Sequence, residues 1–267
     1  MEESIVKDFK GRTVLVTGAT SGIGLAFAQR VAAGGGNLVL VARREALMRE
    51  QTEALRQAHS IRAEVIKADL SAPGAAAKIG EALAERGIVV DVLVNNAGLG
   101  LHGDLATADP TTASTQIAVN VTALTELTAA LVPGMVTRGE GAVINIASTA
   151  AFQPVPHMAV YAATKAYVLS FTRALWSELR GSGVQVLAVC PGATETAFFE
   201  IAGEDASVGS RRTPEQVVAT ALRALRSGRR EVVDGPANAF LARIAGRMPS
   251  GWAISLAERS VRPQSAV

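Results

Sequence analysis

Cysteine is nearly absent: Cys190 is the only one among 267 residues. A single thiol excludes an intrachain disulfide and any cysteine-cluster metal site, and it fits a reducing, cytoplasmic setting. Charge is sparse too, at 19% Asp, Glu, Lys and Arg with a net charge of +2. The doublets Arg43-Arg44, Arg211-Arg212 and Arg229-Arg230 stand apart with no long basic run, which argues against nucleic acid as a partner. The opening MEESIVKDFKG begins with two glutamates after Met1 and has no apolar stretch of signal-peptide length. One charge-free window, residues 141–164, is long enough to suggest a membrane span. It carries Asn145, Ser148, Gln153, Pro154, Pro156, His157 and Tyr161, so we read it as strand, loop and helix start.

What the chain does have is apolar material, 49% of its residues, set out in short β-branched runs. These are TVLVT (13–17), NLVLVA (37–42), AEVIKA (63–68), DVLVN (91–95), AVINIA (142–147), VQVLAVC (184–190) and EVVD (231–234). Between them lie segments of helical composition, at 22–34, 44–58, 73–86, 109–138, 157–180 and 213–226. Strands apolar on both faces and alternating with helices predict a doubly wound α/β fold: a parallel sheet of seven strands, Rossmann-type, covered on both sides. No linker interrupts the alternation, so one domain is expected over 1–234, with 235–267 as a short helical C-terminal extension.

Three constellations carry chemistry. After the first strand comes TGATSGIG, with Gly18, Gly22 and Gly24 leading into a helix. Strand, glycine turn and helix N-terminus together can receive a pyrophosphate. At the end of the second strand, where a cofactor with a free ribose 2′-hydroxyl would call for an acid, stand Ala42, Arg43 and Arg44. An arginine fork suits a 2′-phosphate, although an Arg doublet can also be solvated surface. Tyr161 and Lys165, four positions apart, project from one helix face within the otherwise apolar VYAATKAYVLSF. Taken alone, that pair favours a half-buried core tyrosine and a snorkelling lysine.

With TGATSGIG, NNAG (95–98), YAATK (161–165), Asn120 in IAVNV and PGATET (191–196) in this order, the chain resembles the short-chain dehydrogenase/reductase family over about residues 11–234. Ser148, thirteen residues before Tyr161, falls at the family's usual interval. The resemblance implies an NADP(H)-dependent oxidoreductase, with Asn120, Ser148, Tyr161 and Lys165 catalytic. Tyr161 would exchange a proton with the carbonyl or alcohol oxygen, Lys165 would lower its pKa, Ser148 would donate to the reacting oxygen, and Asn120 would break helix geometry and hold a relay water. For the cofactor, it implies Gly18, Ser21, Gly22, Ile23 and Gly24 at the pyrophosphate, Asp69 and Leu70 at the adenine, and Asn96, Ala97 and Gly98 beside the ribose. Lys165 would also bond the ribose, and Pro191, Gly192, Thr194 and Thr196 would hold the carboxamide. Asp69 can equally cap the following helix.

The expected reaction moves a hydride between NADP(H) and a ketone or secondary alcohol; a catalytically silent NADP(H)-binding sensor or scaffold is the alternative. Three residues between Tyr161 and Lys165 argue against enoyl reduction, and the short tail against sugar-nucleotide epimerases. The small-molecule substrate should meet loops 99–102, 152–154 and 197–212, where Phe152, Pro154, Val155, Phe198, Phe199 and Ile201 favour an apolar pocket. Cys190 reads as a buried strand residue; His102 and His157 could face the substrate pocket, with loop or surface histidines the preferred reading. A homo-oligomer, dimer or tetramer, is expected from helices at 109–138 and 157–180 that are apolar on more than one face. The tail, residues 235–267, should form two short helices divided at Pro249-Ser250-Gly251. They could lie through 236–262 on an anionic membrane, fold back as a lid, or pack on a partner subunit. Packing is preferred, because helices this short bury little area in a bilayer.

Overall fold

The computed structural model describes residues 9–198, 211–245 and 247–261. Its strands are β1 Thr13–Thr17, β2 Asn37–Ala42, β3 Ala63–Lys67, β4 Val92–Asn95, β5 Gly141–Ile146, β6 Val184–Cys190 and β7 Glu231–Val233. All pair in parallel in the order β3-β2-β1-β4-β5-β6-β7. The helices are α1 Gly22–Ala33, α2 Glu45–His59, α3 Ala75–Glu85, α4 Pro110–Ile117, α5 Leu124–Arg138, α6 Ala159–Glu178, α7 Pro214–Arg226, α8 Pro236–Ala245 and α9 Ser250–Val261.

Alternate residues of each strand point to opposite faces, so β1 feeds two cores. Val14 and Val16 join Phe27, Val31, Leu222 and Leu225 on the α1 and α7 side. Leu15 joins Ile79, Leu83, Leu127 and Met135 on the α3 and α5 side. The N-terminus of α7 follows from its sequence, with Thr213 and Gln216 bonding each other's backbone N–H as a capping box and Pro214 in the first turn.

The expected helix over 109–138 is interrupted. Between α4 and α5, residues Ala118–Ala123 form a π-helical segment that carries Asn120. Such a bulge loosens the backbone ladder and often marks a functional position. The run Pro110–Arg138 is long and apolar enough to cross a bilayer by composition, yet it packs against the sheet through Leu124, Leu127, Val132 and Met135.

The strand order reverses direction at the β1–β4 boundary, which opens a crevice beyond the strands' C-terminal ends. The tail folds back towards it. Its two helices turn Ala242, Ala253, Ala257 and Val261 inward, while Phe240, Leu241, Trp252 and Leu256 stay more than half exposed. The buried face of the tail is therefore made by these alanines and Val261.

Candidate active site

The C-terminal ends of β1 and β4 are locked together by side chains. Thr17 Oγ1 accepts from the backbone N–H groups of Asn96 and Ala97, each at 3.0 Å. Asn96 Nδ2 donates to the carbonyls of Thr17 at 2.9 Å and Gly18 at 3.2 Å. The glycine turn is thus held by the NNAG segment. Gly18 lies at φ +63°, in the left-handed region. A Cβ on Gly24 would stand 2.4 Å from Gly18 O and 2.5 Å from Asn96 Nδ2, so only glycine lets α1 come this close to the turn.

A cavity of about 880 Å³ runs from this turn across the sheet. All the expected site residues line it except Gly24 and Asn120. Gly24 serves the packing just described rather than the cavity surface. Arg44 is aimed by its bond from Nη2 to Thr20 Oγ1 at 2.8 Å, and Arg43 lines the same end. Asp69 does not cap the following helix, whose N-cap is Gly74. It faces the cavity, and its Oδ1 accepts from Ser71 N and Oγ, closing a turn before α3 rather than capping the helix itself. Those two bonds hold the Asp69 carboxyl below its ordinary value.

At the other end, Ser148 follows β5, and Tyr161 and Lys165 lie on the first turns of α6. Lys165 Nζ donates to Ile146 O at 2.8 Å and stands 5.8 Å from the Tyr161 ring centroid. Burial drives the Lys165 ammonium down to about 8. Burial also raises the Tyr161 phenol, against a smaller downward pull from its hydrogen bond with Ser148. The sequence reasoning had Lys165 lowering the phenol; in this geometry burial is the larger influence and the net direction is upward.

Asn120 is set beside this pair rather than on the cavity wall. Its Oδ1 accepts from Leu99 N at 2.8 Å, and its Nδ2 donates to Leu99 O at 2.8 Å and Thr164 Oγ1 at 3.0 Å. A Cβ on Gly98 would lie 3.3 Å from Lys165 Nζ and 3.5 Å from Asn120 Oδ1, so that glycine leaves the space between them open. Cys190 is buried in β6 with its thiol pushed up to about 12 by desolvation, which leaves it inert as a nucleophile.

The substrate side needs correction. Leu99, Gly100, Gln153, Val155 and Phe198 line the cavity, but Leu101, His102, Phe152 and Pro154 do not. Phe152 packs instead under the Arg173 guanidinium and against the α6 core. Phe199 and Ile201 lie outside the described residues. His102 Nε2 donates to Val261 O at 2.5 Å, and His157 pairs with Asp104 at 2.6 Å, so both histidines clasp loops. The tail also lines the cavity, through Asn238, Leu241, Ala242, Met248, Ala257 and Val261, which matches the fold-back alternative of the sequence reading and not the preferred packing on a partner, and none of these residues was named in advance.

The model of the short chain dehydrogenase family matches residues 12–207. Sulfoacetaldehyde reductase 2 of Chromohalobacter salexigens is 40% identical over 187 residues, covering 69% of this chain and 73% of that protein. Very-long-chain 3-oxoacyl-CoA reductase of Bos taurus is 30% identical over 254 residues, covering 93% and 79%. A solved short-chain dehydrogenase from Sphingobium yanoikuyae in complex with NADPH superposes with a TM-score of 0.80 at 33% identity, covering 96% of this chain and 98% of that one. Family model, relatives and fold agree with the motifs that converge on the cavity, and the chain belongs to the short-chain dehydrogenase family of oxidoreductases.

Proposed function

We propose that this protein uses NADP(H) to interconvert an apolar ketone and its secondary alcohol. The observation that carries the reading is a single cavity with Arg43 and Arg44 at one end and Ser148, Tyr161 and Lys165 at the other. The residues fit the cofactor. Gly18 and Gly24 leave the close backbone approach that a pyrophosphate needs, and the β2 end offers two guanidinium groups and no carboxylate. The phosphorylated form is chosen on those arginines, not on fold, because a similar chain from Burkholderia phymatum is in complex with NAD.

Gly18, Ser21, Gly22 and Ile23 would hold the pyrophosphate, with Gly24 letting α1 approach it. Arg43 and Arg44 would hold the 2′-phosphate, and Asp69 and Leu70 the adenine. Asn96, Ala97, Gly98 and Lys165 would border the ribose, and Pro191, Gly192, Thr194 and Thr196 the carboxamide. When bound, the cofactor supplies or accepts the hydride.

The remaining chemistry belongs to the chain. Ser148 donates a hydrogen bond to the substrate oxygen as negative charge gathers there; losing such a donor commonly costs about 10² to 10³ in rate. Tyr161 gives its proton to that oxygen in reduction and takes one from the alcohol in oxidation. Lys165 offers a cation behind the phenol to stabilise the phenolate left after transfer. Asn120, beside Lys165, positions the route by which that proton is replaced.

The test compares the unmodified protein with Tyr161→Phe. Ketone-dependent NADPH oxidation should vanish in the variant while NADPH affinity stays near normal, and NADPH should outperform NADH in kcat/KM. Near-normal kcat in Tyr161→Phe would overturn the mechanism, and equal use of the two cofactors would overturn the arginine assignment. Tight NADPH binding without turnover across a broad ketone panel would make the protein a sensor or scaffold instead.

A further inference from the structure

On the reading just given, the cavity also selects a substrate class. We propose that the substrate is a long or bulky ketone with no anionic group beside its carbonyl, whose apolar part leaves Tyr161 along a wall built by α8 and α9.

The first support is charge. Among the described residues, the only charged side chains lining the cavity are Arg43, Arg44, Asp69 and Lys165. The first three follow β2 and β3, at the end opposite Tyr161. Lys165 is buried behind the Tyr161 ring and already donates to Ile146 O. Arg211 does not line the cavity. Arg212, nearby in sequence, does not line the cavity and is bound to buried Asp234 at 2.5 Å. A sulfonate or carboxylate one carbon from the carbonyl would therefore be stripped of water without a partner cation, which is costly.

The second support is the wall itself. Tyr161 and Phe198, with ring centroids 5.3 Å apart, pack against Val155, Met158, Ala162 and Val261. From there the lining continues along the tail through Ala257, Leu256, Met248 and Leu241. Leu241 and Leu256 both line the cavity and are 59% and 54% exposed, so the tail's part of the wall is apolar and reaches solvent. A short substrate would leave this path wet, whereas a long alkyl or fused-ring body would cover it. His102 holds the end of α9 in place through its bond to Val261 O. The inference thus separates this chain from its relative named for sulfoacetaldehyde, despite 40% identity.

The experiment measures kcat/KM with NADPH for 2-butanone, 2-decanone and sulfoacetaldehyde. Each buried methylene is worth about 0.8 kcal/mol, so six extra ones, partly buried, should favour 2-decanone over 2-butanone by roughly a hundredfold. Sulfoacetaldehyde should fall below 2-butanone. Leu241→Glu and, as an independent variant, Leu256→Glu alter half-exposed positions and should narrow the preference for 2-decanone over 2-butanone by about tenfold, through KM. As a readout independent of turnover, 2-decanol should raise the melting temperature of the NADP⁺-loaded protein and isethionate, the sulfonated alcohol, should not. Efficient reduction of sulfoacetaldehyde, chain-length independence, or an unchanged preference in both variants would overturn the inference while leaving the reductase reading intact. Failure to reduce any carbonyl, with NADPH bound, would overturn the reductase reading and the inference with it.

Discussion

Replacing Lys165 with methionine should stabilise the protein in the absence of cofactor, and by an amount that depends on pH. Lys165 is 5% exposed, and burial lowers its pKa from 10.5 to about 8. At about 1.4 kcal/mol per pH unit, that gap represents roughly 3 kcal/mol of folding free energy. Below pH 8 the folded and unfolded chains both carry the proton, and the cost of burying the ammonium is fully present. Between pH 8 and 10.5 the unfolded chain binds more protons than the folded one, so stability rises with pH as the buried amine is relieved of its charge. Methionine keeps the volume and removes the titration, but it forfeits the 2.8 Å bond to Ile146 O, a pH-independent loss of about 1 kcal/mol. The variant should therefore be about 2 kcal/mol more stable at pH 7, a rise of roughly 4–8 °C in Tm for a chain of this size, and should lose that advantage by pH 10. Urea unfolding of both proteins without cofactor, at several pH values from 7 to 10, gives the difference with other titrating groups cancelled. A difference that stays constant across the range would refute the assignment of a desolvated lysine. Turnover should be lost in the same variant, which would make the site a place where function is retained at the expense of stability.

Gly24→Ala should destabilise by about 1–3 kcal/mol and weaken NADPH binding, because its Cβ would stand 2.4 Å from Gly18 O; denaturant melts with unchanged stability would show that the turn can relax. Arg212→Met should cost roughly 3–5 kcal/mol by stranding buried Asp234, with substantial recovery in the double variant Arg212→Met, Asp234→Asn; chemical denaturation checks both. A homo-oligomer is expected by light scattering at micromolar concentration, since Ile117, Val136 and Tyr167 are exposed along α4, α5 and α6, with Tyr167 stacked on Phe171 at 5.8 Å; a monomeric mass would refute it.

The seven strands and the helices between them were legible because β-branched runs, glycine punctuation and caps such as Thr213-Pro214 act within a few residues of sequence. The glycine turn, the Arg43-Arg44 pair and the one-turn spacing of Tyr161 and Lys165 were legible for the same reason. What the sequence could not determine depends on atoms brought together from distant positions. Helix spacing puts the Tyr161 phenol and the Lys165 ammonium on one face, but only tertiary burial desolvates both, raising the phenol and lowering the ammonium. The interruption at Asn120 was expected from the resemblance and not from the local pattern of 109–138, and the partners that hold its side chain, Leu99 and Thr164, lie 21 and 44 residues away. The tail reads as two amphipathic helices, yet which side faces inward is set by the space over the cavity. That space is shallow enough to take Ala242, Ala253 and Ala257, leaving the bulk of Phe240 and Trp252 outside.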